Sequence, residues 1–218
     1  MRVPTTDLKL PPYFKFPERK WQVSRFAAGA IKVLSPPHRN VVQAGGCAGF
    51  WPLALSYVFE HVYTFEPDPT NFECLQHNIQ GVPNITAFHG ALSDAQRLVG
   101  LTRPRLGAES WRVGDKPLCE EKLGAGLWQI DGTGDIQAVV LDEHLKDVPV
   151  DALVLDIEGH ELSALRGAEQ TIMKYRPLVW LEFKYNPVEL QTWMSEHDYA
   201  LPRPGFGNDW YWLPRERQ

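Results

Sequence analysis

The sequence predicts an α/β domain with a mostly parallel sheet, because short apolar strands alternate along the chain with amphipathic helices. The first strand is predicted over Asn40–Ala44, and an apolar helix over Phe50–Phe59 follows a glycine-rich turn. The 218 residues are 44% hydrophobic and 22% charged, which is ordinary globular composition and excludes disorder along the chain as a whole. Ligands of such sheets bind beyond the carboxyl ends of the strands, so the residues just after each strand are the candidates for a site.

The alternation of strands and helices continues to the end of the chain. Val62–Glu66 is the predicted second strand, and Asp68 is expected to cap a helix whose first residue is Pro69. The later strands are predicted over Ile85–His89, Asp151–Asp156, Pro177–Phe183 and Trp210–Leu213, the last of them at an edge of the sheet. The later helices are predicted over Pro187–His197 and over a segment whose inner face carries Leu162, Leu165, Ala168 and Ile172.

Two segments interrupt this pattern. Residues 1–35 are interpreted as a proline-rich arm that ends in a helix over Trp21–Leu34, and residues 36–218 as the α/β domain. Within that domain, residues 96–137 contain many glycines and no long helical pattern, although Leu98–Thr102 resembles a strand. We therefore predict an irregular or hairpin-rich insertion, a type of segment that is often functional.

Charge and cysteine content exclude several classes of protein. The net charge of −5 argues against a nucleic-acid binder, which usually has a basic face. The three cysteines form no C-x-x-C pair and fit a reduced protein better than a disulfide framework. An uncharged stretch over residues 41–59 is long enough to span a membrane, but its glycines and Pro52 suit a strand, turn and helix better. We expect a cytoplasmic protein without a membrane or nucleic-acid partner.

The glycine-rich turn after the first strand is a candidate cofactor loop. It contains Gly45, Gly46 and Gly49, and it lacks the G-x-G-x-x-G spacing of dinucleotide-binding proteins. Its G-x-x-x-G spacing suits the amino-acid end of S-adenosylmethionine, which has no pyrophosphate, but it fits a purely structural tight turn equally well. Glu66 ends the second strand, where a carboxylate can accept both hydroxyls of a ribose or simply lie in solvent. After the third strand, Ala91, Leu92 and Ser93 could bracket an adenine, or Ser93 could be an ordinary cap.

The fourth predicted strand ends in a cluster of acidic residues. Asp156, Glu158 and Glu161 stand close together before an apolar helix, where mutual repulsion and burial would raise their pKa values. Such clusters are often functional, although capping of the helix is a structural alternative. His160 lies within the same segment and is a second candidate for proton transfer.

Several segments, in this order, resemble the FkbM-type methyltransferases: VVQAGGCAGF, VYTFEPDPTNFECLQHNI, ITAFHGALSD, VVLDEHL, DALVLDIEGHELSALRGAEQTI and RPLVWLEF. The resemblance covers roughly residues 40–183. It implies a Rossmann-like class I methyltransferase fold, with helices on both faces of a seven-stranded, mostly parallel sheet and an antiparallel last strand. It also implies S-adenosyl-L-methionine as cofactor and methylation of a hydroxyl on a sugar or small metabolite.

The resemblance assigns roles to individual residues. The cofactor would be held by Gly45, Gly46 and Gly49 in the loop, by Glu66 at the ribose, and by Ala91, Leu92 and Ser93 on the adenine side. Asp156 and Glu158 match the acidic site of the family. This chain has Gln43 where the family usually has an acid, and glutamine would meet the methionine ammonium group with a hydrogen bond but no charge.

Removal of the proton from an alcohol requires a base near the transferred methyl group. We expect Asp156 to be that base, with Glu158 and His160 as alternates. Glu182 and Asn186 lie at the same edge of the sheet, where they could form a divalent-cation site with Asp156. The insertion would shape the acceptor pocket, and its Trp111 and Trp128 could stack on a sugar ring or simply pack.

Two other functions remain open at this stage. Gln43 favours an S-adenosylmethionine-binding protein that is catalytically weak or inactive and acts through contacts with partners. A nicotinamide-dependent reductase would share the sheet and Glu66, but the glycine spacing disfavours it.

Overall fold

The computed structural model describes residues 38–102, 129–205 and 209–217, together with the backbone of residues 112–113 and 116–117. The predicted helix over Trp21–Leu34 and the side chains of Trp111 and Trp128 lie outside the described residues. The strands, in chain order, are β1 (Asn40–Ala44), β2 (His61–Glu66), β3 (Ile85–His89), β4 (Ala91–Leu92), β5 (Arg97–Thr102), β6 (Arg112–Val113), β7 (Lys116–Pro117), β8 (Gln129–Val139), β9 (Ala152–Leu155), β10 (Leu178–Glu182), β11 (Arg203–Pro204) and β12 (Asp209–Trp212).

The main sheet has seven strands in the order β11-β12-β10-β9-β1-β2-β3. β1, β2, β3, β9 and β10 run parallel, and β12 is antiparallel to β10, so the predicted fold class is confirmed. The prediction that Trp210–Leu213 forms the edge strand is wrong. Tyr211 pairs with Trp180 of β10 on one side and with Arg203 of β11 on the other. The true edge, β11, has only two residues, which is too short to produce a pattern in the sequence.

The helices, in chain order, are α1 (Phe50–Leu55), α2 (Pro69–Asn78), α3 (Leu141–His144), α4 (Glu161–Arg166), α5 (Glu169–Tyr175) and α6 (Pro187–Glu196), and a 3₁₀ turn follows over Arg215–Arg217. Asp68 caps α2 as predicted, because its carboxylate accepts a hydrogen bond from the backbone N–H of Asn71. The helix predicted over Phe50–Phe59 ends earlier, at Leu55, and continues as a turn.

One predicted helix proves to be two. The segment that carries Leu165 and Ile172 is divided at Gly167 into α4 and α5. A Cβ at Gly167 would lie 1.9 Å from the backbone oxygen of Ser93, so the chain passes this point too closely for any side chain. The Gly167 carbonyl also accepts a hydrogen bond from the N–H of Asp142. The tertiary contact with the loop after β4 therefore ends the helix that the apolar pattern would have continued.

The core lies on both faces of the main sheet. Successive residues of the central strands point to opposite sides, so Val42 and Leu153 pack on one face while Val41 and Val154 pack on the other. α4, α5 and α6 cover the first face, and α1 covers the second. This arrangement leaves the carboxyl ends of the parallel strands at one edge of the sheet, where a site can form.

The two ends of the predicted insertion form regular strands, β5 and β8. β5 and β8 pair antiparallel with a register shift between Val99 and Gly100, and β4 adds a parallel strand, which makes a separate three-stranded sheet. Most of the residues between these strands lie outside the described part of the chain, so the insertion as a whole stays a prediction. Within the described residues, no helix is long and apolar enough to cross a membrane.

Candidate active site

A cleft opens at the carboxyl ends of β1, β2 and β9. Its volume is about 240 Å³. Its walls include seven of the predicted site residues, namely Gly45, Gly46, Glu66, Ala91, Leu92, Asp156 and Glu158. The fold therefore brings together the ends of strands that are far apart in sequence, as expected for an open α/β sheet.

The glycine loop packs too tightly for side chains. Gly45 has a φ of 85°, and a Cβ there would lie 1.9 Å from the backbone oxygen of Asp156. The N–H groups of Gly45 and Gly46 both donate to the carbonyl of Phe65 at 3.0 Å, which ties the loop to the end of β2. Gly49 has a φ of 97° and begins α1, but it does not line the cleft. The glycines thus serve the tight turn and also leave bare backbone facing the cleft.

Glu66 connects the second strand to this loop. Its Oε2 accepts a hydrogen bond from the N–H of Cys47 at 2.6 Å, and its Oε1 accepts one from the N–H of Asp68 at 2.8 Å. Only 4% of the residue is exposed, and this burial raises the pKa of its carboxyl to about 7, although the backbone N–H groups oppose the shift. Oε1 also accepts a hydrogen bond from the Asn71 amide at 3.5 Å, so Oε2, with one backbone donor, is the oxygen that retains capacity for a hydroxyl donor from the cleft.

Two predicted cofactor residues lie behind the cleft rather than on its wall. Gln43 is fully buried, accepts a hydrogen bond from the Thr64 hydroxyl, and donates one to the Ala44 carbonyl at 2.9 Å. Ser93 is also fully buried, and its hydroxyl lies 3.0 Å from Nε2 of His160. Neither residue lines the cleft.

His160 is likewise separated from the cleft. Besides its contact with Ser93, it lies near Asp94 and Arg97, and burial is the main cause that lowers the pKa of its imidazole. The residue lies within the DIEGHE segment, but its side chain faces the loop after β4. The structure therefore brings Asp156 and Glu158 together at the cleft and places His160 elsewhere.

Asp156 lies where the cleft meets the acidic cluster. Its Oδ2 accepts a hydrogen bond from the indole Nε1 of Trp51 at 3.1 Å. Burial, followed by repulsion from Asp209 and Glu158, raises the pKa of its carboxyl to about 7. The sequence analysis did not select Trp51 or Asp209. Trp51 stands in the first turn of the helix after the glycine loop, a position that could have suggested contact with the same edge of the sheet.

Glu158 is held by the loop after β10. Its Oε2 accepts a hydrogen bond from the Tyr185 hydroxyl at 2.8 Å and lies 3.6 Å from the Lys184 ammonium. Its backbone carbonyl accepts a hydrogen bond from Nε2 of Gln129, at the start of β8. Glu158 also has a φ of 52°, a left-handed conformation that is unfavourable for a residue with a side chain. The backbone strain and the hydrogen bonds together fix this carboxylate at the mouth of the cleft.

Glu182 completes the cluster from β10. Burial, with repulsion from Glu158 and Asp156, raises the pKa of its carboxyl to about 7. One oxygen each of Asp156, Glu158 and Glu182 lies within 4.8 Å of the others. Acidic groups converge in this way in many proteins without a metal, so we assign no ion to the cluster.

The fold and the cleft together define a class of protein. A parallel sheet with an antiparallel last strand, and a cleft at the ends of β1, β2 and β9, are the architecture of the class I methyltransferases. The profile of the methyltransferase FkbM domain matches residues 43–201. The chain therefore belongs to the FkbM methyltransferase family, and the resemblance seen in the sequence is confirmed.

Two solved structures are similar to this chain. The FkbM methyltransferase of Methylobacillus flagellatus KT matches with a TM-score of 0.58 and 19% identity, over 84% of this chain and 45% of that protein. A ribosomal protein L11 methylase of Lactobacillus delbrueckii subsp. bulgaricus matches with a TM-score of 0.48 and 13% identity, over 88% of this chain and 76% of that one. The first likeness shows a shared fold, and this chain spans under half the length of that relative. A search of curated proteins gave no match.

Proposed function

We propose that the protein is an S-adenosylmethionine-dependent O-methyltransferase whose acceptor is a hydroxyl on a sugar or small metabolite. The observation that carries this proposal is the position of Asp156. Its carboxylate lines the same cleft as the glycine loop and Glu66, so a proton acceptor lies beside a candidate cofactor site. When bound, S-adenosylmethionine supplies a methyl group on a sulfonium, and the residues of the cleft must bring the acceptor oxygen to it.

The cleft has features that fit this cofactor. Glu66 has a buried carboxylate with spare acceptor capacity, which suits the two hydroxyls of a ribose. Gly45 and Gly46 leave bare backbone for the amino-acid end, and Ala91 and Leu92 offer a small apolar surface for the adenine. Gly49, Gln43 and Ser93 would act from behind the wall, by shaping the loop and the strand ends that touch the cofactor.

Asp156 would take the proton of the acceptor hydroxyl. A base is most effective when its pKa lies near the working pH, and the pKa of this carboxyl is raised to about 7. Glu158 is the alternate base, because it lies at the same cleft, where its carboxylate is 3.6 Å from the ammonium group of Lys184. His160 is a weaker alternate, since its side chain contacts Ser93 rather than the cleft.

The acceptor would enter beside the insertion. Ile130 of β8 lines the cleft, and Gln129 donates to the carbonyl of Glu158, so the first residues of β8 border its mouth. Insertions in such positions commonly determine which substrate can enter. We therefore expect changes near the start of β8 to alter the choice of acceptor more than the binding of the cofactor.

Two measurements test the proposal. Calorimetry with S-adenosylhomocysteine should detect binding to the wild-type protein, and release of S-adenosylhomocysteine should report turnover on a panel of monosaccharides and small polyols. Binding without turnover on any hydroxylated compound would favour the catalytically inactive, partner-binding alternative. Binding of NADH instead of S-adenosylhomocysteine would overturn the cofactor assignment and favour a reductase.

A further inference from the structure

Trp51 connects the helix after the glycine loop to the acidic cluster. It lies in the first turn of α1, lines the cleft, and donates its indole N–H to Oδ2 of Asp156 at 3.1 Å. The backbone of Asp156 is fixed separately, because its N–H donates to the Ala44 carbonyl at 3.1 Å. The main chain of Asp156 is thus held by β1 and its side chain by α1, on either side of the glycine loop.

Four acidic groups around Asp156 oppose its ionised form. Asp209 of β12, Glu158 of the same loop, Glu161 of α4 and Glu182 of β10 are all acidic. Lys184 lies 3.6 Å from Glu158 and 3.9 Å from Glu182. Among the described residues, Trp51 is the group that donates a hydrogen bond to the Asp156 side chain. A hydrogen-bond donor favours one orientation of a carboxylate and also favours its charged form. Without the Trp51 donor, repulsion from the neighbouring acids would disfavour both that orientation and that charged form of Asp156.

We propose that Trp51 is a positioning residue that holds the Asp156 carboxylate against the wall of the cleft through its indole N–H. This inference rests on the proposed function, in which Asp156 accepts the proton of the acceptor. Because Trp51 occupies one acceptor site of Oδ2, Oδ1 is the less engaged oxygen for that proton. The ring of Trp51 also forms part of the wall, so the role of its N–H must be separated from the role of its bulk.

The first test needs no acceptor and leaves Trp51 unchanged. NMR spectra of ¹⁵N-labelled protein contain one indole N–H signal for each of the eight tryptophans, and the signal of Trp51 is assigned first. In the Asp156→Asn variant the Trp51 indole proton should move upfield, because a neutral amide oxygen accepts a weaker hydrogen bond than a carboxylate. The matched control is Asp147→Asn, which changes an exposed aspartate that pairs with Lys174. A Trp51 signal that is the same in wild type and Asp156→Asn would overturn the proposal.

The second test measures catalysis. Trp51→Phe keeps an aromatic ring but removes the N–H, and we expect kcat to fall roughly tenfold while the Kd for S-adenosylhomocysteine stays within a few fold. The double variant Trp51→Phe/Asp156→Asn should be no slower than Asp156→Asn alone, because Trp51 acts through that carboxylate. The control is Trp212→Phe, which removes an indole N–H that bonds to Gln191 outside the cleft and should leave kcat unchanged.

The outcomes separate this inference from the proposed function. Wild-type kcat retained in Trp51→Phe, or additive losses in the double variant, would overturn the positioning role and leave the methyltransferase proposal intact. Absence of S-adenosylhomocysteine binding in the wild-type protein would overturn the proposed function and the positioning role with it.

Discussion

Two carboxylates, the buried Glu66 and the partly buried Asp156, lie at the same edge of the sheet, and their surroundings differ. Glu66, at the end of β2, accepts hydrogen bonds from the N–H groups of Cys47 and Asp68. Asp156, after β9, has one indole donor and faces the carboxylates of Asp209 and Glu158. The pKa of each is raised to about 7, chiefly by burial.

The difference indicates two separate tasks. Backbone donors hold Glu66 in place and secure the glycine loop, as suits a group that binds hydroxyls and keeps its position. At Asp156, burial is joined by repulsion from neighbouring carboxylates rather than by several backbone donors, and we propose that this setting suits a base. The side of the cleft at β2 would therefore bind the cofactor, and the side at β9 would accept the proton of the acceptor.

The largest effect is expected at Asp156. Asp156→Asn keeps the shape of the side chain but removes the base, so turnover should fall by ~10²–10⁴-fold. Binding of S-adenosylhomocysteine, measured by calorimetry, should stay within a few fold. Asp147→Asn serves as the surface control. Full turnover in Asp156→Asn would show that Glu158 is the base or that the reaction needs only the proximity of the two substrates. Loss of cofactor binding in this variant would show that Asp156 belongs to the cofactor-binding site.

Glu66 should show the reverse pattern. Glu66→Ala removes charge-assisted hydrogen bonds, so binding of S-adenosylhomocysteine should weaken by ~1–3 kcal/mol. Glu73→Ala, an exposed acid on α2, is the control. Unchanged calorimetric affinity in Glu66→Ala would contradict the assignment of the ribose site. A change of kcat without a change of affinity would also contradict the division between the two sides.

Gln43 tests whether a further carboxylate at this edge is tolerated. The Gln43 amide donates to the Ala44 carbonyl, and a glutamate would lose that bond and bury a charge. Gln43→Glu should therefore lower the free energy of unfolding by ~1–3 kcal/mol, measured by urea denaturation. The control is Gln76→Glu, on the exposed face of α2. If Gln43→Glu is as stable as wild type and binds S-adenosylhomocysteine more tightly, the site accepts the acid that the family usually has.

The smallest effect is expected in the dependence of stability on pH. The pKa values of Glu66, Asp156, Glu161 and Glu182 are each raised to about 7, so the folded state keeps these protons when the unfolded chain has lost them. The free energy of unfolding should therefore fall as the pH rises from about 4 to about 7. Asp156→Asn should raise the free energy of unfolding at pH 8 and leave it almost unchanged at pH 4, because the carboxyl is protonated in the folded state at the lower pH. An equal change at both pH values in thermal unfolding would contradict this account.

Much of the fold could be predicted because it depends on local patterns. Alternating apolar strands and helices, the Asp68 cap followed by Pro69, and the glycine loop follow from residue spacing and backbone preference. The two-residue β11 and the division of a helix at Gly167 could not be predicted in this way. Both depend on which strand or loop lies beside the segment in the folded chain.

The same distinction applies to the site. The sequence alone determined that Gly45, Gly46, Glu66, Asp156 and Glu158 follow strands of a parallel sheet, and strand ends in such a sheet converge at one edge. Only the tertiary structure decided how each side chain points once it reaches that edge. Buried polar groups turn toward whichever partners packing brings within hydrogen-bond distance. For this reason His160 turns to Ser93 rather than to the cleft, whereas Trp51, from a different helix, donates to Asp156.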